Sequence, residues 1–216
     1  MTRIKMKRAL AALALGAGAS ISTQASPVTF DDILPQGFSG SSIVSGGITV
    51  TSSGEGFSNV DSALAYGAIA PDNSTGQFLA ALNNDAITLA LGGGRFLGLD
   101  AAFIAPVPIA AGTAAGMLQI VATTATGIIS DQFDFGLSGA NGVWSFFSID
   151  TDLLGSSAVT SLTLTACLYD GLGGCVRDAS LSQFGIDNLR VPEPGTIGLV
   201  LAAIGLMAAT RRRQSV

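Results

Sequence analysis

Between its two ends the chain alternates apolar and polar positions in short runs. In TSLTLTACL, Leu162, Leu164, Ala166 and Leu168 fall on one face and Thr163, Thr165 and Cys167 on the other. A period of two with β-branched threonines is that of a half-buried strand. DQFDFGL alternates Phe133, Phe135 and Leu137 with Gln132, Asp134 and Gly136, and VWSFFSID (Val143 to Asp150) is a second, aromatic-rich run. Both positions of the Asn141-Gly142 step between them tolerate positive φ, which predicts that the two runs pair as a hairpin. PVTFDDIL, SIVSGGITVTS, AITLALG, GRFLGLDAAFIA, GMLQIVATT and QFGIDNLRV bring the predicted strands to nine, separated by Gly-rich turns such as LGGGRF. NVDSALAYGAIA reads equally as a short helix or a loop. APVPIAAG carries Pro106 and Pro108, which remove ladder donors and predict a loop or edge crossing. Many short strands without a long amphipathic helix predict an all-β fold, a single jelly-roll-like sandwich over residues 26–190.

The two ends break this pattern. The N-terminus places Arg3, Lys5, Lys7 and Arg8 ahead of an apolar run from Ala9 to Ala19, then Thr23-Gln24-Ala25. That order is a secretory signal peptide, residues 1–25, with cleavage expected between Ala25 and Ser26. The C-terminus reads VPEPGTIGLVLAAIGLMAATRRRQSV. Its apolar run, Thr196 to Thr210, covers roughly 22 Å as a helix against a hydrocarbon core of roughly 30 Å. Prolines ahead of it keep the chain extended and accessible, and arginines behind it stay on the cytoplasmic side.

Charge follows the same division. Between Ser26 and Arg190 there are three basic residues (Arg95, Arg177, Arg190) and fourteen acidic ones, a formal charge of −11. Such a surface repels nucleic acid phosphates, so a nucleic-acid partner is excluded. The chain has no histidine. Ser-His-Asp, Cys-His and His-based metal chemistry are therefore ruled out, and no phosphate-binding glycine loop stands in their place. Paired carboxylates remain, but fourteen acids make some pair inevitable, so the chain is not expected to be an enzyme. Cys167 and Cys175 bracket LYDGLGG. In an exported chain the pair is expected to form a disulfide; a redox pair or half a zinc site are the rival readings.

Three arrangements remain as binding candidates. Asp31 and Asp32 near the first predicted strand and Asp187 at the end of the last are calcium candidates, as are Asp150 and Asp152 in SIDTD; oxygen ligands in loops suit that ion. The simpler role for each is a solvated turn or cap carboxylate. Trp144, Phe146, Phe147, Tyr66 and Tyr169 are sugar-stacking candidates, with core packing the competing role.

The ordered set Pro192-Glu193-Pro194, apolar helix and Arg211-Arg212-Arg213, opposite a signal peptide, resembles the PEP-CTERM sorting signal, here residues 191–216. The resemblance implies an exported protein passing through an inner-membrane intermediate to the cell surface or extracellular matrix. It also implies processing by an exosortase, a membrane enzyme of Gram-negative bacteria that often make exopolysaccharide. A plain single-pass anchor shares the topology. Gln183, Phe184 and Asp187 match a subgroup with a Q-F-x-x-D pattern; this implies a fold and an address and no activity. The expected partners are the export machinery, the processing enzyme and exopolysaccharide. A structural or interaction protein is the leading reading, and a calcium-supported carbohydrate-binding module the alternative.

Overall fold

The computed structural model describes residues 27–58, 67–74, 76–150, 157–172 and 174–192. Within them the chain forms two antiparallel sheets. The six-stranded sheet runs β1 (Gln36–Ser39), β4 (Glu55–Ser58), β5 (Leu79–Ala81), β13 (Phe184–Arg190), β7 (Gly98–Phe103), β10 (Phe147–Asp150). The seven-stranded sheet runs β2 (Ser42–Ser45), β3 (Ile48–Ser52), β6 (Ile87–Gly94), β11 (Val159–Tyr169), β8 (Gly116–Thr124), β9 (Gly127–Asp134), and β12 (Cys175–Val176) pairs the end of β11.

Alternation decides which faces meet. Leu118, Ile120 and Ala122 of β8 and Leu162, Leu164 and Ala166 of β11 turn inward against Leu79, Leu99, Phe184 and Ile186, and all join one buried cluster. Fully burying each Leu, Ile or Phe is worth roughly 1.5–3 kcal/mol, which sets the sandwich's register firmly. The six-stranded sheet has a second, smaller core on its outer face. There Ala68, Phe78, Ala80, Leu82 and Ile104 pack together. Gly185 lies beneath them in β13; a Cβ would stand 3.2 Å from both Ile104 Cδ1 and Phe78 Cδ2, tight enough to explain the glycine. One sheet is thus covered on both sides near its centre, and among the described residues nothing packs over the outer face of the other.

Several sequence expectations are corrected. DQFDFGL and VWSFFSID do not pair. β9 pairs with β8, while β10 lies in the opposite sheet beside β7. Asn141-Gly142 does turn the chain, with Gly142 at φ 77° and Gly139 N–H donating to Val143 O. That turn sits inside a crossing between sheets, and Val143 to Phe146 form no strand. SIVSGGITVTS is two strands, because Gly46 and Gly47 (φ 52° and 79°) make a two-residue hairpin loop between Ser45 and Ile48. PVTFDDIL contributes one bridge, Val28 to Leu189, then turns at Phe30 to Ile33. The glycines of LGGGRF stay within β6 as far as Gly94. APVPIAAG is the expected crossing between sheets, tied to the 135–143 segment by Ile109 N–H to Gly142 O and Gly112 N–H to Ser138 O. In NVDSALAYGAIA, residues 59–66 lie outside the described set, and residues 67–70 are irregular.

Candidate functional site

The last strand ends in a clamp. Asp187 faces outward on β13 opposite Asp100 of β7, and Asn188, at φ 48°, shifts the register so that Arg190 meets Gly98. The Arg190 guanidinium then spans three strands. Nη1 donates to Asp100 Oδ1 at 2.8 Å, and Nη2 donates to Leu99 O (3.1 Å), Ser148 Oγ (2.8 Å) and Ile149 O (2.9 Å). Asp150 Oδ1 adds an ion pair at 2.9 Å. The fork of a guanidinium suits such a junction of carboxylate and carbonyl oxygens better than an ammonium would. Charge pairing between Arg190 and Asp100 was legible only as composition, because β7 and β13 lie far apart in sequence.

The calcium candidates divide among different tasks. Asp32 accepts from the Ser45 hydroxyl and from Gly46 N–H, which hold its carboxyl below the usual range. Asp31 Oδ1 accepts from Gln77 N–H at 2.8 Å. Asp187 is 6% exposed; burial pushes its pKa up to about 6, the Asn188 N–H lowers it, and repulsion from Asp31 and Asp100 raises it. Asp187 lies within β13 and does not end it, as the strand continues to Arg190. Asp150 pairs with Arg190, and Asp152 lies outside the described residues. Among the described residues no three His, Cys, Asp or Glu side chains are grouped to hold a metal ion.

Most of the sugar-stacking candidates are spent on packing. Trp144 is buried, stacked edge-on to Phe103 and donating its Nε1–H to Gly136 O. Phe147 packs against the main core and Phe146 against the smaller one, edge-on to Phe78. Tyr66 lies outside the described residues. Tyr169 is half-exposed and donates its hydroxyl to Asp134 on the outer face of the seven-stranded sheet, a bond that raises its pKa.

That outer face has its own character. One row runs in register as Ser42, Thr51, Thr88, Thr163, Val121, Ser130, and the next as Val44, Thr49, Ala90, Ser161, Thr123, Ile128. Thr165 donates to Gln119, which stands opposite Gln132. Although the sequence between Ser26 and Arg190 has a formal charge of −11, among the described residues the strands of this face present no ionised side chain except Asp134 at one corner. The alternating threonines of β11 signalled the face; its extent needed the order of strands.

Cys167 and Cys175 are bonded to one another, as expected, with Cα atoms 5.4 Å apart. Asp170 accepts from Leu172 and Gly174 N–H within the loop, which lowers its pKa. Of the Q-F-x-x-D residues, Phe184 is fully buried in the main core, and Gln183 holds the preceding turn by donating from Nε2 to Ser180 O. Pro192 is half-buried at the end of the described chain. Ala25, Ser26, Glu193, Pro194, Arg211, Arg212, Arg213 and the apolar run lie outside the described residues, within which no helix is long and apolar enough to cross a membrane.

One known sequence family matches the C-terminus: residues 190–214 fit the PEP-CTERM protein-sorting motif. A PEP-CTERM motif implies export, a membrane-held intermediate and processing by an exosortase. No curated protein matches the chain in sequence. Among solved structures, the chain is similar to a carbohydrate-binding module, CBM28, specific for non-crystalline cellulose (10% identity, TM-score 0.33, covering 59% of this chain and 82% of that one). It is also similar to the family 32 module of C. perfringens NanJ in complex with galactose (14% identity, TM-score 0.28, covering 64% and 92%). A third is the enzymatically active domain of bacteriophage CBA120 tailspike protein 4 (12% identity, TM-score 0.30, covering 76% of this chain and 20% of that one).

Proposed function

We propose that this is a non-catalytic structural or interaction protein of the cell surface or extracellular matrix. It is exported behind a signal peptide, held in the inner membrane by its tail, and released when an exosortase cuts near Pro192-Glu193-Pro194. The sorting motif at residues 190–214 carries this reading. The signal-like N-terminus and the disulfide, which suits an oxidising compartment, support it. The lack of histidine supports the non-catalytic part. Repeated crossing of the chain between the two sheets supports a jelly-roll-like connection, and Gln183, Phe184 and Asp187 match the Q-F-x-x-D pattern, which supports membership of that subgroup. Mass spectrometry of the mature protein tests the reading. A C-terminus between Pro192 and Gly195 supports processing; an intact Val216 overturns it.

The uncharged hydroxyl face favours a second reading, a carbohydrate-binding module for exopolysaccharide. Rows of hydroxyls and the Gln119 and Gln132 amides offer donors and acceptors to sugar hydroxyls without a strong field, and Tyr169 offers a ring. Calcium held by Asp31, Asp32 or Asp187 belongs to this reading. Glycan-array binding lost on joint Gln119→Ala and Gln132→Ala substitution supports the face; binding unaffected by that change, or none, rejects it. A rise in melting temperature at millimolar calcium supports the ion, and an unchanged one rejects it.

A further inference from the structure

We infer that Arg190 is a positioning residue for release of the tail, acting through its clamp on the sandwich. The inference rests on the processing reading and adds a part that the folded domain plays in it. The sorting motif begins at residue 190, and Arg190 is also the last residue of β13. The folded sandwich therefore runs right up to the stretch that matches the sorting motif. The Arg190 guanidinium joins β13 to Asp100 of β7 and to Asp150 of β10, and its carbonyl accepts from Leu97 N–H at 2.9 Å. Val191 packs against the main core. Side chain and main chain are thus both fixed immediately before the triplet.

The distances make this matter. Val191 to Gly195 separate Arg190 from the apolar run, and five extended residues reach at most about 18 Å. With Arg190 and Val191 held on the sandwich, the chain enters the triplet from a fixed point on the folded domain. An enzyme working in that gap meets a substrate whose position is already set, which lowers the entropic cost of bringing the scissile bond to its nucleophile. Without the clamp, the end of β13 is free to fray and that starting point is no longer fixed.

The test uses the full chain expressed with its processing enzyme, following loss of the tail by pulse-chase and mass spectrometry. Arg190→Ala and Asp100→Asn are each expected to slow release several-fold while the remaining protein keeps its protease resistance. Asp100→Asn retains the arginine itself, so it separates the clamp from direct reading of Arg190 by the enzyme. A Gly-Ser-Gly-Ser insertion between Val191 and Pro192 leaves the sandwich and clamp intact and is also expected to slow release. Processing of Asp100→Asn and of the insertion at the wild-type rate overturns the positioning role. A wild-type chain that keeps Val216 overturns the processing reading itself, and with it this inference.

Discussion

Phe103 and Trp144 meet edge to face, with ring centroids 4.8 Å apart and planes at 73°. Phe103 ends β7, and Trp144 belongs to the segment that carries the chain from β9 back to the six-stranded sheet. The contact anchors that crossing, and it uses the only tryptophan of the chain for packing instead of ligand stacking. Trp144→Ala is expected to cost about 3–5 kcal/mol, as large aromatic truncations in cores do. Urea unfolding followed by circular dichroism measures it. An effect below about 1 kcal/mol would return Trp144 to the surface-ligand role.

Asp187 gives the protein a pH signature. Its folded pKa, about 6, stands above the usual 3.8, so the folded state holds a proton that the unfolded chain releases at lower pH. This group's contribution to stability is accordingly most favourable below about pH 4, falls as pH rises from there through 6, and stays low above. Asp187→Asn is expected to stabilise the protein at pH 7 by roughly 1–2 kcal/mol after allowance for solvent screening, and to leave it little changed at pH 3.5. Paired melting curves at the two values check the sign; destabilisation at pH 7 would show that the charged carboxylate has a partner in solution.

Asp131 guards an edge. β9 is the outermost strand of its sheet, and Asp131 stands opposite Ile120, on the same side as Ile129 and Phe133, which pack against the core. A charge turned inward on an edge strand discourages pairing with another chain. Asp131→Val is expected to raise the fraction of dimers or larger species in light scattering at equal concentration, whereas an unchanged monomer signal would assign edge protection to other features.

The Cys167–Cys175 bridge closes a short loop where the end of β11 pairs with β12. Reduction, or the Cys167→Ala and Cys175→Ala double substitution, is expected to cost about 2–3 kcal/mol by freeing that loop in the unfolded state. The fold should survive, since the main core lies elsewhere; differential scanning calorimetry with and without reductant reads the shift.

Strand content was legible wherever a period of two was strong. TSLTLTACL and GMLQIVATT became β11 and β8 because leucine, isoleucine and alanine at alternate positions have one face to bury whatever they pair with. β4 and β5 went unseen: GFS and LAA are short and carry little alternation, and Phe184 and Ile186 of β13 supply the surface that makes Leu79 and Ala81 inward residues. The failed hairpin has the same origin. Asn141-Gly142 specifies a local turn, but pairing is settled by which partner buries Phe133 and Ile149, and these belong to opposite sheets. The tail was legible because a sorting motif is read as an extended, linear order of residues. Arg190 was not, since five of its six oxygen partners come from β7 and β10, brought within reach only when the strands assemble. By itself the sequence determined the all-β composition, the acidity, the disulfide and the address at the C-terminus, all properties of local pattern or composition. Tertiary structure alone decided which strands are neighbours, which sheet keeps an open hydroxyl face and where the chain is clamped before that address, because each depends on contacts between residues far apart along the chain.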